Sequence, residues 1–193
     1  IIEDGDAIAE IVHGAGAQLI MSVNPIALGV LKTPGEIGAD IVVAEGQPLG
    51  LGLAYGGPYL GILATTEKNM RKIVGRLVGE TKDSQGERGF VLTLQAREQH
   101  IRREKAASNI CSNEALCALK ASIYLATIGP KGLKQVATLC TSKAHYLAEK
   151  FEEIGMKRAY EGEFFHEFVT TCPNADQLLD ALEDNGILGG LKL

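Results

Sequence analysis

The chain has 193 residues, of which 46% are hydrophobic, 22% charged and 5% aromatic, with 23 glycines and a formal net charge of -5. That is enough apolar chain for one domain and a small companion around a sizeable core, which excludes disorder and a coiled coil. With 24 acidic against 19 basic residues, the balance argues against nucleic acid, whose phosphates demand a clustered positive footprint.

No apolar run reaches the roughly 18 residues of a membrane span, and the first residues are acidic rather than a basic lead, so a soluble, cytoplasmic protein without membrane contact is expected. Cys111, Cys117, Cys140 and Cys172 form no CxxC pair and read as reduced thiols. The first residue, Ile1, and a last segment, Gly189 to Leu193, that reads like a strand suggest a fragment of a longer chain.

In chain order, Asp4 and Asp6 open a short amphipathic helix, residues 6–13, with Ile8, Ile11 and Val12 on one face and Gly14 as its stop. Leu19 to Val23 is apolar on both faces, the pattern of a parallel strand covered on both sides. Thr33-Pro34-Gly35-Glu36 carries a capping box with Pro at the first helical position, so a one-turn helix should lead into a second strand, Ile41 to Ala44. Strand, crossover and strand predict an open α/β sheet.

Gly46 to Pro58 holds seven glycines or prolines and enters a third apolar run, Leu60 to Thr65, after which Thr66-Glu67 should begin a helix. Residues 74–90, with Gly75, Gly79, Gly86 and Gly89 among charges, read as a long loop. Thr93 to Lys105 reads as a charged helix and Ser108 to Asn113 as a polar break. Glu114 to Ile128, closed by Gly129-Pro130, should be a helix buried on nearly every side. Leu133, Val136, Cys140, Ala144, Leu147 and Phe151 then step by three or four along one helical face. Beyond Gly155 a short strand, 164–171, and a capped helix, 174–185, make a small α+β unit.

Three stretches could carry chemistry. Gly50, Gly52, Gly56 and Gly57 follow a buried strand, as in loops that cradle phosphate, but they miss the GxGxxG spacing, and glycines also serve tight turns and close packing. In the polar break, Ser112 or Asn113 can cap the helix that follows, whereas Ser108 and Asn109 lie too early to cap and stand at the positive end of its dipole, where an anion is favoured. In Arg97 to Lys105, helical spacing would pair Glu98 with Arg102 and Gln99 with Arg103 as a solvated face. His13, His100, His145 and His166 are scattered, with no metal-ligand spacing and no nucleophile elbow nearby.

Beyond these local readings, the runs Gly46-Gln47-Pro48-Leu49-Gly50, Tyr55-Gly56-Gly57-Pro58, Gly75-Arg76-Leu77-Val78-Gly79-Glu80-Thr81 and the whole of Arg88 to Asn113 are specific. With Lys143-Ala144-His145-Tyr146-Leu147 and Phe164-Phe165-His166-Glu167-Phe168, they resemble the glycine dehydrogenase (decarboxylating) subunit 1 family, a P-protein of the glycine cleavage system, over essentially the whole chain. His166 stands where that family would have Asn.

The resemblance implies a fold type I, aspartate-aminotransferase-like α/β fold. Residues 1–144 would be the second half of the large domain and residues 145–193 a truncated small domain. It implies pyridoxal phosphate as cofactor, acting as an electron sink on a lysine Schiff base, in the decarboxylation of glycine and transfer of its aminomethyl group to the lipoyl arm of the H-protein. No Lys lies between Lys32 and Lys68, and Gln47-Pro48 occupies the expected lysine position, so the cofactor should be held by subunit 2 and no covalent adduct is expected on this chain.

In that reading Ser108 and Asn109 reach the partner's cofactor phosphate, while Gly50, Gly52, Tyr55, Gly56 and Gly57 line the interface near the substrate channel. The chain alone would be inactive and, with a sheet edge and apolar faces uncovered, would self-associate. The rival reading is a non-catalytic scaffold that stabilises subunit 2 and docks the H-protein. A pyridoxal enzyme in its own right is opposed by the missing lysine.

Overall fold

The computed structural model describes residues 1–106 and 114–193. The chain forms two compact units, residues 4–135 and residues 136–193 with Ile1–Glu3.

The first unit opens with helix α1, Gly5–Gly14, whose first turn is capped by the Asp4 carboxylate accepting from the Ala7 amide at 3.1 Å. Strand β1, Ile20–Val23, runs parallel to β2, Ile41–Glu45, and between them the expected capping box is in place at α2, Pro34–Ile37. The Glu36 amide donates to Thr33 Oγ1 at 3.4 Å and the Thr33 amide to Glu36 Oε2 at 2.9 Å. Strand β3, Gly61–Thr65, joins β2 antiparallel, giving a three-stranded sheet in the order β1-β2-β3.

Ala9, Leu19 and Ala39 are buried together with Val12, Met21, Ile37 and Val42 around them, so α1 and α2 cover the face that carries Met21 and Val42. Asp40 ties this layer to the strands: its carboxylate accepts from the Leu19 amide at 2.9 Å and meets His13 Nε2 at 3.0 Å. Those two contacts, the amide first, hold the Asp40 carboxyl below its ordinary range. The opposite face is open in this chain, with Ile20 60% exposed and Leu63 also exposed, so the expectation of a first strand covered on both sides fails.

Further expectations are corrected by the rest of the fold. Glu67–Lys72 is a 3-10 turn rather than an α-helix, and Thr66 makes no side-chain cap. Residues 74–90 are not a long loop. They contain most of a hairpin, β4 Leu77–Lys82 against β5 Arg88–Thr93, with Leu77 opposite Thr93 and Lys82 opposite Arg88. The Asp83 carboxylate accepts from the Gln85 and Glu87 amides and Gly86 takes φ 87°, so of the glycines expected in a loop Gly86 makes the turn, while Gly79 and Gly89 lie within the strands.

Thr93 to Lys105 is likewise no continuous helix. Leu94 and Arg103 sit in the left-handed region at φ 50° and 52°, and Glu98 is extended, leaving a 3-10 turn at Gln95–Arg97 and one helical turn, α3, at Gln99–Arg102. Helix α4, Ala115–Glu153, is interrupted at Gly129, which takes φ 60° and ψ -176° just before Pro130. Its first part is not buried on nearly every side: Cys117 and Ala121 are buried, but Leu116 is 67% exposed and Leu119 and Ile123 are exposed too.

The second unit takes in the last part of α4, where Ala137 and Ala148 are buried and Val136, Cys140 and Ala144 half-buried along the expected stripe. His145 stacks on Phe164 with ring centroids 3.9 Å apart, and Phe168 packs against both Phe164 and Phe151. The expected strand at 164–171 is reduced to one isolated bridge, Arg158 with Thr170, and residues 189–193 form no strand. Helix α5, Ala175–Asp184, is capped as expected, with the Asn174 side chain accepting from the Gln177 amide.

Candidate functional site

The two parallel strands point their carboxyl ends, Val23 and Glu45, toward one end of the sheet, where open α/β sheets place their ligands. The chain leaving β2 there is the Gly46 to Leu60 loop, which carries Gly50, Gly52, Tyr55, Gly56 and Gly57. Its base is closed by three hydrogen bonds. The Gly46 amide donates to the Leu60 carbonyl at 2.6 Å, and the Gln47 and Leu60 amides both donate to Glu45 Oε1, at 2.9 and 3.0 Å.

Gln47 lies just past the strand end and turns its amide back, Nε2 donating to the Leu51 carbonyl at 2.8 Å. Gly46 is buried against Leu60, and a Cβ there would meet the Leu60 carbonyl oxygen at 3.0 Å. Gly50, at φ 86°, lies against α4 so closely that an added Cβ would stand 2.7 Å from the Tyr124 Cβ. Gly52 and Gly56 face open space, and the tip of the loop carries Tyr55, 94% exposed at φ 47°. A non-glycine residue held there is strained, and such strain concentrates in segments with a binding role. Past the tip, the Pro58 carbonyl accepts from the buried Cys117 thiol on α4 at 3.8 Å.

The donor set decides what this end of the sheet can hold. A carbonyl cofactor bound covalently needs an amine at the strand end; Gln47 offers an amide already engaged with Leu51, and Pro48 offers no side-chain donor. The residues here do not fit a lysine-held pyridoxal phosphate. Ser108 and Asn109 lie outside the described residues. A cleft of about 360 Å³ in the second unit, lined by Ile1, Arg158, Tyr160, Phe164, Phe168 and Val169 among others, takes in none of the expected site residues. Among the described residues no group of His, Cys, Asp and Glu side chains is arranged to hold a metal ion, and no helix is long and apolar enough to cross a membrane.

Two features escaped the sequence reading. Glu45 follows the apolar run Ile41 to Ala44 and drew no role from the sequence, although an acid directly before a glycine-rich loop is a signal for a loop-closing acceptor. Arg97 and Glu98, read as part of a solvated face, are buried to 8% and 5% exposure. Arg97 donates to the Ile73 carbonyl and, at 2.9 Å, to the Gly75 carbonyl, and stands 3.9 Å from the Glu98 carboxylate, which also lies 4.0 Å from Arg76. The pair closes the open end of the β4–β5 hairpin.

Comparison with known proteins places this geometry. A chain in the crystal structure of glycine decarboxylase (P-protein) of the glycine cleavage system, in inhibitor-bound form, superposes with a TM-score of 0.92 at 46% identity over 100% of this chain and 44% of its own length. A chain from the SepCysS-SepCysE N-terminal domain complex shares the fold at a TM-score of 0.63 and 18% identity. The architecture is thus that of the α/β, fold type I, aspartate-aminotransferase-like class.

The model of the glycine cleavage system P-protein family matches residues 1–190, and the chain belongs to that family. It is 56% identical over its whole length to the probable glycine dehydrogenase (decarboxylating) subunit 1 of Desulfitobacterium hafniense and 53% identical to that of Thermomicrobium roseum. It spans 44% and 43% of the length of those relatives.

Proposed function

We propose that this chain is part of the subunit of a glycine decarboxylase that carries no cofactor lysine. With subunit 2 it serves the decarboxylation of glycine and the transfer of the aminomethyl group to the lipoyl arm of the H-protein, with release of carbon dioxide. Pyridoxal phosphate, held by subunit 2, supplies the electron sink. The observation that carries the reading is the strand-end turn: a chain of this family presents Gln47 and Pro48 there, with the Gln47 amide spent on Leu51.

In this reading residues 1–144 belong to the large domain and residues 145–193 to the small one, in a cytoplasmic heteromer. The loop with Gly50, Gly52, Tyr55, Gly56 and Gly57 lines the shared pocket from across the interface, and Ser108 and Asn109 donate to the partner's cofactor phosphate. The exposed Leu116, Leu119 and Ile123 support association, since an apolar stripe of this kind is normally covered. Alone, the chain self-associates through such surfaces.

Borohydride reduction of the loaded heteromer, followed by peptide mass spectrometry, tests the assignment of the lysine. The reduced cofactor is expected on a subunit 2 peptide; a specific adduct on any lysine of this chain would overturn the reading.

A further inference from the structure

Glu45 has a place in this site that neither its neighbours in sequence nor the family name assigns. It ends β2 at the carboxyl end of the sheet, and one oxygen, Oε1, takes the amides of Gln47 and Leu60, the first and last turns of the loop that carries Tyr55. The loop also rests on α4 through Gly50 against Tyr124 and the Pro58 carbonyl against the Cys117 thiol, but apart from the Gly46 amide no other hydrogen bond described joins its two ends. Gly46 reaches the Leu60 carbonyl, Gln47 and Leu51 bond within its first turn, and Gly57 donates to the Ala54 carbonyl behind the tip. A segment this rich in glycine loses much conformational freedom when ordered, so the acceptor that joins its two ends sets its geometry. Hydrogen bonds to a carboxylate are roughly twice as strong as neutral ones, which suits a single side chain to that task.

We infer that Glu45 is the positioning residue of the glycine-rich loop: its carboxylate staples the loop's ends and so fixes where Tyr55 stands in the shared pocket. This rests on the proposal that the loop lines that pocket. Glu45 itself need touch neither glycine nor the cofactor.

The test uses the complete heteromer of both subunits, with Glu45→Ala, Glu45→Gln and Tyr55→Ala measured side by side for glycine-dependent carbon dioxide exchange and for thermal unfolding. Glu45→Ala is expected to raise the KM for glycine on the order of tenfold with kcat little changed, the loss of two charge-assisted bonds to a binding loop. Glu45→Gln, whose amide oxygen can still accept both N–H groups as weaker neutral bonds, should recover about half of that loss.

An unchanged KM in Glu45→Ala would overturn the inference. So would a Glu45→Gln variant as impaired as Glu45→Ala, because the charge rather than the staple would then matter, or a loss of melting temperature without any KM effect. Tyr55→Ala separates the two levels. If it impairs exchange while Glu45→Ala does not, the staple fails and the pocket reading stands; if it leaves exchange intact, the pocket reading itself is contradicted.

Discussion

Replacement of Gly50 by Ala is expected to destabilise the first unit by about 3 kcal/mol, the sum of two independent costs. At φ 86° a residue with a Cβ carries a left-handed penalty of roughly 1–2 kcal/mol. The added methyl would also lie 2.7 Å from the Tyr124 Cβ and 2.8 Å from its Cγ, on a helix backbone that cannot withdraw without moving the loop. Overpacking of that kind costs typically 1–3 kcal/mol. Gly52→Ala is the matched control, because nothing lies within 4 Å of the position a Cβ would take there. Thermal unfolding of the two variants should show a drop of several degrees for Gly50→Ala and almost none for Gly52→Ala. Equal melting temperatures would mean that the loop does not rest on α4 as described.

Arg97→Ala is expected to cost a comparable amount, about 2–3 kcal/mol, because it removes the buried side chain whose charged hydrogen bonds hold the Ile73 and Gly75 carbonyls. Glu98 would keep Arg76 at 4.0 Å, about as near as Arg97 at 3.9 Å, whereas the carbonyls of Ile73 and Gly75 would lose their donors. The damage should be local before it is global. The Ile73 and Gly75 carbonyls precede β4 and Arg97 follows β5, so amide hydrogen exchange should accelerate along the hairpin while β1, β2 and β3 keep their protection. Uniform acceleration across both sheets, or none, would contradict that assignment.

Where the sequence carries its own local instructions, the fold was legible. Asp4, Thr33 with Glu36, and Asn174 announce α1, α2 and α5 because a cap needs only the residues within one turn. The first two strands are short apolar runs bounded by breakers, and the glycine-rich loop follows the second of them as its composition indicates.

The hairpin was not legible, since Gly79 and Gly89 look like loop punctuation. At Gly79 the reason for glycine lies far away in the chain: an added Cβ would meet the Thr93 methyl at 2.8 Å. The left-handed turns at Leu94 and Arg103 leave no mark in composition, so a charged run that would make a good helix is bent into short pieces around a buried arginine. The apolar run of α4 reports how much surface calls for cover without saying what covers it, which is why Leu116 and Ile123 were expected inside and stand exposed. At the site itself, the missing lysine could be read directly, whereas the acceptor role of Glu45 required the Leu60 amide, brought beside it by β3.

The most direct measurement of the proposed function is glycine–carbon dioxide exchange by subunit 2, with and without a complete subunit 1 carrying this sequence. A shared pocket requires both, so activity should be negligible for either alone and appear on mixing, in proportion to the heteromer formed. Full exchange by subunit 2 alone would contradict the proposal and leave this chain a scaffold.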